Sequence, residues 1–445
     1  MLAASLQQEF IQKIPQKKEE VKLEVGVGFS EKWNAWDAGR EVAETAIKKL
    51  MQPPDFFLLF STIHYEKHGG FQEFLNGVWD VLPKGTPLVG GTVAGFINPY
   101  GCCAQGATSL AASYPEMDVS VGIGHNTKRD PIAAARTCAK MIKTDLKSSH
   151  YSHSFIYEIT SGGTIPQFPG LGRKRVVSSG LISRLAPYLT GISLTMLQRG
   201  VGREEETLAE LVRQFPDYHI IGGSSMDDNN MVENYQFFNT NISKNSIVAL
   251  GIKTDLKIQV NTTYGLKETD VKLQITKKDR SERIIKEIDN TSALNGFLKK
   301  IGWPEDFIDE RLYRKTMFIP LGFKKDDMLF PNVIGLFLGK NILVGFKLEK
   351  DDLILCSASG KSLLDSVDEN LAQFQNQNNH FGLIVSCAAR LETLGRNIYV
   401  TQEKLLKFFG DKPFLLIYAG GEDTYIPGVG QRHINESFNV ATLSS

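Results

Sequence analysis

The chain has 445 residues, 42% hydrophobic and 22% charged, with 26 Phe against 17 Pro, which excludes disorder, collagen and coiled coil and supplies apolar surface for two large domains. Lys+Arg and Asp+Glu are both 50, so the formal charge is zero and no overall field draws in nucleic acid or anionic lipid. The 5 cysteines are scattered and odd in number, which argues against a disulfide framework and for a reducing, cytoplasmic compartment.

Residues 1–20 are polar, end in Gln16-Lys17-Lys18-Glu19-Glu20 and read as a solvated tail. They contain no uninterrupted apolar h-region, and nowhere do about 18 apolar residues run together, so neither a secretion signal nor a membrane span is expected. Val21–Phe29 alternates as a strand does, and Asp37 is placed to cap a helix through Met51 whose Ala43, Ala46, Ile47 and Leu50 share a face. Asp55–Phe60 is a buried-strand run, Gly70–Leu82 has helical spacing, and Thr86–Val89 leads a short strand into Gly90-Gly91.

This phrase recurs. It runs from FFLLFS (56–61) to LVGGT (88–92), from FIYEITSG (155–162) through a helix at Glu204–Phe215 to IIGGS (220–224), and from FGLIVSC (381–387) through Gln402–Phe409 to LIYAGGE (416–422). Self-similarity of this kind points to duplicated α/β units. Each copy ends a strand on Gly-Gly followed by Thr, Ser or Glu, at the strand end where open α/β sheets place ligands, although the same glycines suit a tight turn. Residues 98–125 and 235–264 read as hairpin strands, so mixed sheets are expected. The polar stretch Lys267–Asp289 predicts a domain boundary; beyond it Ile334–Phe337, Ile342–Phe346 and Leu353–Cys356 suggest a meander and Ser362–Phe374 a helix.

Catalytic signatures are incomplete. Ser359-Gly360-Lys361-Ser362 resembles a P-loop end but has Leu355 where the first glycine belongs, and Gly26-Val27-Gly28 and Gly122-Ile123-Gly124 lack the third glycine of a dinucleotide fingerprint. His64/His68 and His150/His153 lack the glutamate of a zincin, and no CxxC pair exists, so no metal ligand set is predicted. Cys387 ends a strand with Arg390 three residues on, an arrangement that either lowers the thiol pKa or leaves a buried apolar cysteine. Arg390 suits a carboxylate ligand, or a salt bridge to Glu392 or Glu422. Ser224–Asn230 fits either a ligand amine or cation, or a hairpin turn.

Taken in order, VGVGFS (25–30), FFLLFS (56–61), LVGGTVAGF (88–96), IIGGSSMDD (220–228), SIVALGI (246–252), SCAAR (386–390), AGGED (419–423) and Asn435-Glu436-Ser437 resemble the FIST family of signalling proteins, some of them linked to F-boxes. The resemblance covers about residues 21–445 and implies an α/β (α+β) fold of mixed sheets in two domains. A FIST N-terminal domain at 21–266, holding two related units, would be joined by a connector at 267–290 to a FIST C-terminal domain at 291–445. It implies a non-enzymatic sensory module binding a small polar ligand such as an amino acid. Gly91, Thr92, Gly223, Ser224, Asp227, Cys387, Arg390, Gly421, Glu422 and Asn435 are the ligand-facing candidates, Arg390 and Glu422 matching the two ends of a zwitterion. With no kinase, cyclase or methyl-acceptor segment in the sequence, the signal is expected to pass through a protein partner. A ligand-free interaction scaffold is the alternative reading. Haem, bound by some family members, would need His219 or His433 as axial ligand; otherwise no cofactor is expected.

Overall fold

In the strand run Phe56–Ser61 alternate residues face opposite ways, Phe56, Leu58 and Phe60 into one apolar cluster and Phe57 and Leu59 into another. Period-2 alternation in an all-apolar strand thus demands cover on both faces, and all three repeated units answer that demand identically. The structure, a computed structural model, describes residues 22–146, 150–165, 175–177, 185, 188–189, 192–194, 196–325, 327–375 and 377–445; the tail expected at 1–20 lies outside them.

The first unit comprises β1 (Glu24–Ser30), α1 (Ala35–Ile47), β2 (Phe56–Ser61), α2 (Phe71–Trp79), β3 (Leu88–Thr92), the hairpin β4 (Gly95–Asn98) and β5 (Gly101–Cys103), and β6 (Ala107–Ser113). The second repeats this plan as β7 (Met117–His125), α3 (Pro131–Asp145), β8 (His153–Ser161), α4 (Glu204–Gln214), β10 (His219–Ser225), the hairpin β11 (Gln236–Phe238) and β12 (Asn241–Ser243), and β13 (Ser246–Thr254), with β9 (Val176–Val177) in an insertion before α4. The third begins with β14 (Lys257–Thr263). An insertion follows: β15 (Lys267–Lys278), β16 (Ile284–Ile288), β17 (Thr291–Ser292), α5 (Ala293–Ile301), α6 (Glu310–Thr316), β18 (Leu321–Lys325), β19 (Met328–Asn332), β20 (Ile334–Leu338), β21 (Asn341–Val344) and β22 (Asp352–Ser357). The third unit then resumes with α7 (Gly360–Ala372), β23 (Asn379–Cys387), α8 (Ala388–Leu394), α9 (Ile398–Phe409), β24 (Phe414–Ala419), the hairpin β25 (Glu422–Ile426) and β26 (Gly430–Ile434), and β27 (Phe438–Ser444).

Each unit builds a 6-stranded mixed sheet, in the orders β1-β6-β2-β3-β11-β12, β7-β13-β8-β10-β25-β26 and β14-β27-β23-β24-β4-β5. The middle pairs β2–β3, β8–β10 and β23–β24 are parallel and their flanking strands antiparallel. The outer hairpin always comes from another unit: the second lends its hairpin to the first, the third to the second, and the first to the third. Because the exchange is cyclic, no unit completes its sheet alone. Inner faces share one core, where Phe60, Tyr157, Ile159, Val385 and Ile417 meet. The outer faces are covered by α1 and α2, by α3 and α4, and by α7 and α9.

The polar stretch at 267–290 holds β15 and β16 of a fourth sheet, ordered β19-β18-β22-β15-β16-β21-β20-β9, with β17 pairing β16 off this path. Its charged residues alternate with the buried Leu273 and Ile275, so the polarity belongs to one face of a strand. Two further local readings change. Asn34, not Asp37, caps α1, its side chain accepting from the Asp37 amide at 3.0 Å. The P-loop-like Ser359–Ser362 is a capping box that starts α7.

Candidate functional site

The parallel pairs β8–β10 and β23–β24 point their carboxyl ends toward the inserted sheet. The β25–β26 hairpin and its exit join the two bodies. The Asn435 amide donates to Pro331 O at 3.1 Å, the Asn435 side chain accepts from the Val333 amide at 3.2 Å, and His433 meets the edge of Phe346 with ring centroids 5.4 Å apart. Between the bodies lies a cavity of about 70 Å³ walled by Glu204, Ser224, Asn229, Cys387, His433 and Asn435, with Tyr313 and Met317 from the insertion. Asn229, Tyr313 and Met317 also line an outer cleft of about 600 Å³, which places them between cavity and surface.

Glycines make room for the ionisable groups around it. A Cβ at Gly202 would fall 2.1 Å from Glu204 Oε2, one at Gly222 2.4 Å from Glu158 Oε1, and one at Gly421 2.9 Å from His433 Cε1. His433 Nδ1 lies 2.7 Å from Asp423 Oδ1. Ser224 Oγ donates a long bond of 3.5 Å to Glu204 Oε1, while Glu204 Oε2, in a side chain 5% exposed, has no hydrogen-bond partner among the described residues. Lys128, 1% exposed, donates to Thr164 Oγ1 at 3.0 Å.

Burial governs the electrostatics. It pushes Glu204 up to about 7 against the pull of His433 and Lys128, holds Glu158 well above the usual carboxylate range beside Asp423 and Glu204, and brings Lys128 down to about 8 against Glu204 and Glu233. At His433 burial acts downward, but Asp423, Glu204 and Glu205 outweigh it and raise the imidazole to about 9. Several titratable groups held in one cleft away from their usual ranges mark a functional-site candidate.

Of the residues singled out in the sequence, Ser224, Cys387 and Asn435 line the cavity. Gly223 and Gly421 lie just behind it: a Cβ on Gly223 would meet Gly421 O at 2.6 Å, so this glycine serves close approach of two strands. Arg390, 1% exposed, points away from the cavity and donates to Tyr264 O, Glu436 O, Leu363 O and Ser366 Oγ at 3.2, 3.4, 2.6 and 3.1 Å. Among the described residues neither Glu392 nor Glu422 is a hydrogen-bond partner of it. Glu422 Oε2 accepts from the Ser437 amide and hydroxyl at 3.1 and 2.9 Å. Burial, with Glu422 and Glu436 nearby, pushes the Cys387 thiol well above its ordinary value, the reverse of activation by Arg390. Asp227 closes a turn by accepting from the amides of Met231, Val232 and Glu233 at 2.6, 2.7 and 3.0 Å. Gly91 and Thr92 pack against Tyr235 in the first unit's sheet; Thr92 Oγ1 accepts from the Tyr235 amide at 3.0 Å.

Sequence reasoning missed Glu204, Glu205, Lys128 and Glu158, and named His433 for haem alone. Glu158 carried a signal, a carboxylate inside the apolar strand FIYEITS. Glu204 and Lys128 carried none, since one starts a helix with three glutamates and the other lies in a turn.

Comparison with known proteins fits this architecture. Residues 55–291 match the FIST N domain, from the second strand of the first unit into the inserted sheet. Uncharacterized protein MJ1623 of Methanocaldococcus jannaschii is 26% identical over 225 residues, 47% of this chain and 43% of that protein, so the chain spans less than half the length of this curated relative. PurLQS from Thermotoga maritima aligns over 95% of this chain and 73% of its own at a TM-score of 0.18 and 12% identity, a likeness too slight to bear on fold or function. Among the described residues no helix is long and apolar enough to cross a membrane. With more than half its length matched, the chain belongs to the FIST family of sensory domains in signal transduction.

Proposed function

We propose that this protein is a cytoplasmic, non-enzymatic sensor that admits a small polar ligand to the cavity between the three-unit core and the inserted sheet and signals through a protein partner. The observation that carries this reading is Glu204 Oε2, a buried carboxylate oxygen without a hydrogen-bond partner among the described residues at the wall of a cavity; such orphaned groups are rare and costly unless something completes them. About 70 Å³, at ~10–15 Å³ for each water-sized group, suits a ligand of roughly five to seven non-hydrogen atoms, the size of a small amino acid. Ser224 and Asn435 add a hydroxyl and an amide. A haem is many times larger than this space. Because the walls belong to two bodies joined through Asn435 and His433, a ligand touching both favours one arrangement of the two, and that preference is what a partner would read.

The test is a thermal-shift screen of the full chain against small amino acids, amines and carboxylates, since a ligand binding only the folded state raises the unfolding temperature. A hit that disappears in Glu204→Gln supports the sensor. A flat screen on folded protein overturns it and favours the interaction scaffold.

A further inference from the structure

One wall of the cavity gathers ligand atoms from separate parts of the chain. Glu204 and Glu205 open α4, His433 lies on β26, and one ligand atom from each lies within 4.8 Å of the others. We propose that Glu204, Glu205 and His433 form a binding site for a divalent first-row metal ion, with zinc the best match, because the three side chains converge on one point with unsatisfied oxygens and a pre-positioned imidazole.

The imidazole is arranged as a metal ligand requires. Its Nδ1 is engaged by Asp423 Oδ1 at 2.7 Å, leaving Nε2 for an ion, and a carboxylate behind the histidine is the usual partner that fixes its ring. Gly421 keeps the approach clear, since a Cβ there would stand 3.2 Å from Nε2. The carboxylates are equally prepared. Glu204 Oε2 and Glu205 Oε2 are buried atoms without a hydrogen-bond partner among the described residues, whereas Glu205 Oε1 is held by Arg283, which sets the orientation of that carboxylate. An ion with ligand bonds of about 2.0–2.2 Å draws its donors to roughly 3–3.5 Å from one another, a closure within reach of side-chain rotation.

Charge supports the same occupant. Asp423, Glu204 and Glu205 all act on His433, and Glu158 lies beside Asp423 and Glu204, so the wall is rich in carboxyl groups. One imidazole and two carboxylates without a thiolate suit zinc, while magnesium prefers a shell of oxygens and water. Three protein ligands leave a coordination position toward the cavity. Resting on the sensory reading above, the organic ligand would be one that chelates, such as an α-amino carboxylate.

The experiment is calorimetric titration of the chelator-treated full chain with zinc chloride and no organic ligand, alongside the visible spectrum of the cobalt(II) form. One zinc per chain is expected, lost in His433→Ala and weakened about 10- to 100-fold in Glu205→Gln and in Asp423→Asn. The cobalt spectrum should show no thiolate charge-transfer band. Glu205 is partly exposed, so Glu205→Gln retains the fold, which its unfolding midpoint verifies. No zinc binding overturns the proposal, as does binding indifferent to His433→Ala and Glu205→Gln, or a thiolate band that would place the ion at cysteine. A ligand hit in the thermal-shift screen with no zinc binding would refute the metal and leave the sensor standing.

Discussion

The first unit and the other two end their central strands on the same Gly-Gly phrase, yet only the latter open onto a cavity. At Thr92 every polar group is used locally: the hydroxyl accepts from the Tyr235 amide, the amide donates to Tyr235 O at 2.9 Å, and the carbonyl accepts from Met226 at 2.7 Å. At Ser224 and Gly421 the corresponding strand ends face the inserted sheet; the serine's amide and carbonyl are used locally as those of Thr92 are, but its hydroxyl makes one long bond, and neighbouring carboxylate oxygens have no hydrogen-bond partner among the described residues. The difference follows from where the insertions fall. None interrupts the first unit, whereas those before α4 and after β14 supply walls that hold polar groups apart. Duplication therefore supplied a frame, and insertion turned two of its three strand ends into a site.

Arg390→Ala tests this contrast with the largest expected effect. Its guanidinium serves the frame through three carbonyls and Ser366, so removal should destabilise by about 3–5 kcal/mol, as breaking a buried charge network does. Urea unfolding reads the loss; ligand and zinc responses of the molecules still folded should be unchanged, and a selective loss of those responses would return Arg390 to the site. Thr92→Val keeps the shape and removes the acceptor for the Tyr235 amide. It should destabilise by about 1–3 kcal/mol without altering either response, whereas Ser224→Ala should do the opposite.

The pH dependence of stability separates frame from site in another way. Burial raises Glu422 and Glu436 from the ordinary 4.5 to about 8, opposed at Glu422 by Ser437 and at Glu436 by Arg390. A folded-state pKa above the unfolded value means that the protonated form is favoured on folding. The stability these groups contribute is present below about 4.5 and is lost as pH rises through about 8. Denaturant midpoints across that window should fall, and Glu436→Gln should flatten the fall; an unchanged slope would show that Glu436 does not titrate there. The smallest stability effect is expected from Gly202→Ala, whose new Cβ would meet the Glu204 carboxylate first, 2.1 Å from Oε2. Its unfolding free energy should stay within about 1 kcal/mol of the parent, while zinc and ligand responses disappear. A large drop in stability with both responses intact would mean that Gly202 supports the backbone and not the site.

Much of the fold is legible in particular residues. FFLLFS, FIYEITS and FGLIVSC are the central strands β2, β8 and β23, and the three Gly-Gly ends follow β3, β10 and β24 or lie within them. The helix before the third copy reads correctly because Ser359 and its apolar spacing are local signals. Lys267–Asp289 reads as a linker by composition and is strand by structure, since its alternation is weak beside its charge. The candidate site is less legible. Ser224, Cys387 and Asn435 were found because each sits at the end of a repeated phrase, whereas Arg390, Glu422 and Asp227 share those phrases and work inside the frame. A residue's type and position in a motif say that it is polar near a strand end, not which way its side chain turns.

By itself the sequence determined the repeated β-α-β units, the apolar two-faced strands and family membership, because these rest on local periodicity and on phrases recurring in order. The cyclic exchange of hairpins, the packing of three sheets on one core, and the meeting of Glu204, Glu205, Asp423 and His433 were decided only in the tertiary structure. Those pairings join distant parts of the chain, Gly91 with Gln236, Ile97 with Leu416 and Glu204 with His433, and neither periodicity nor spacing carries information over such separations. What selects them is burial of the remaining apolar faces, which is satisfied only when all three sheets close together.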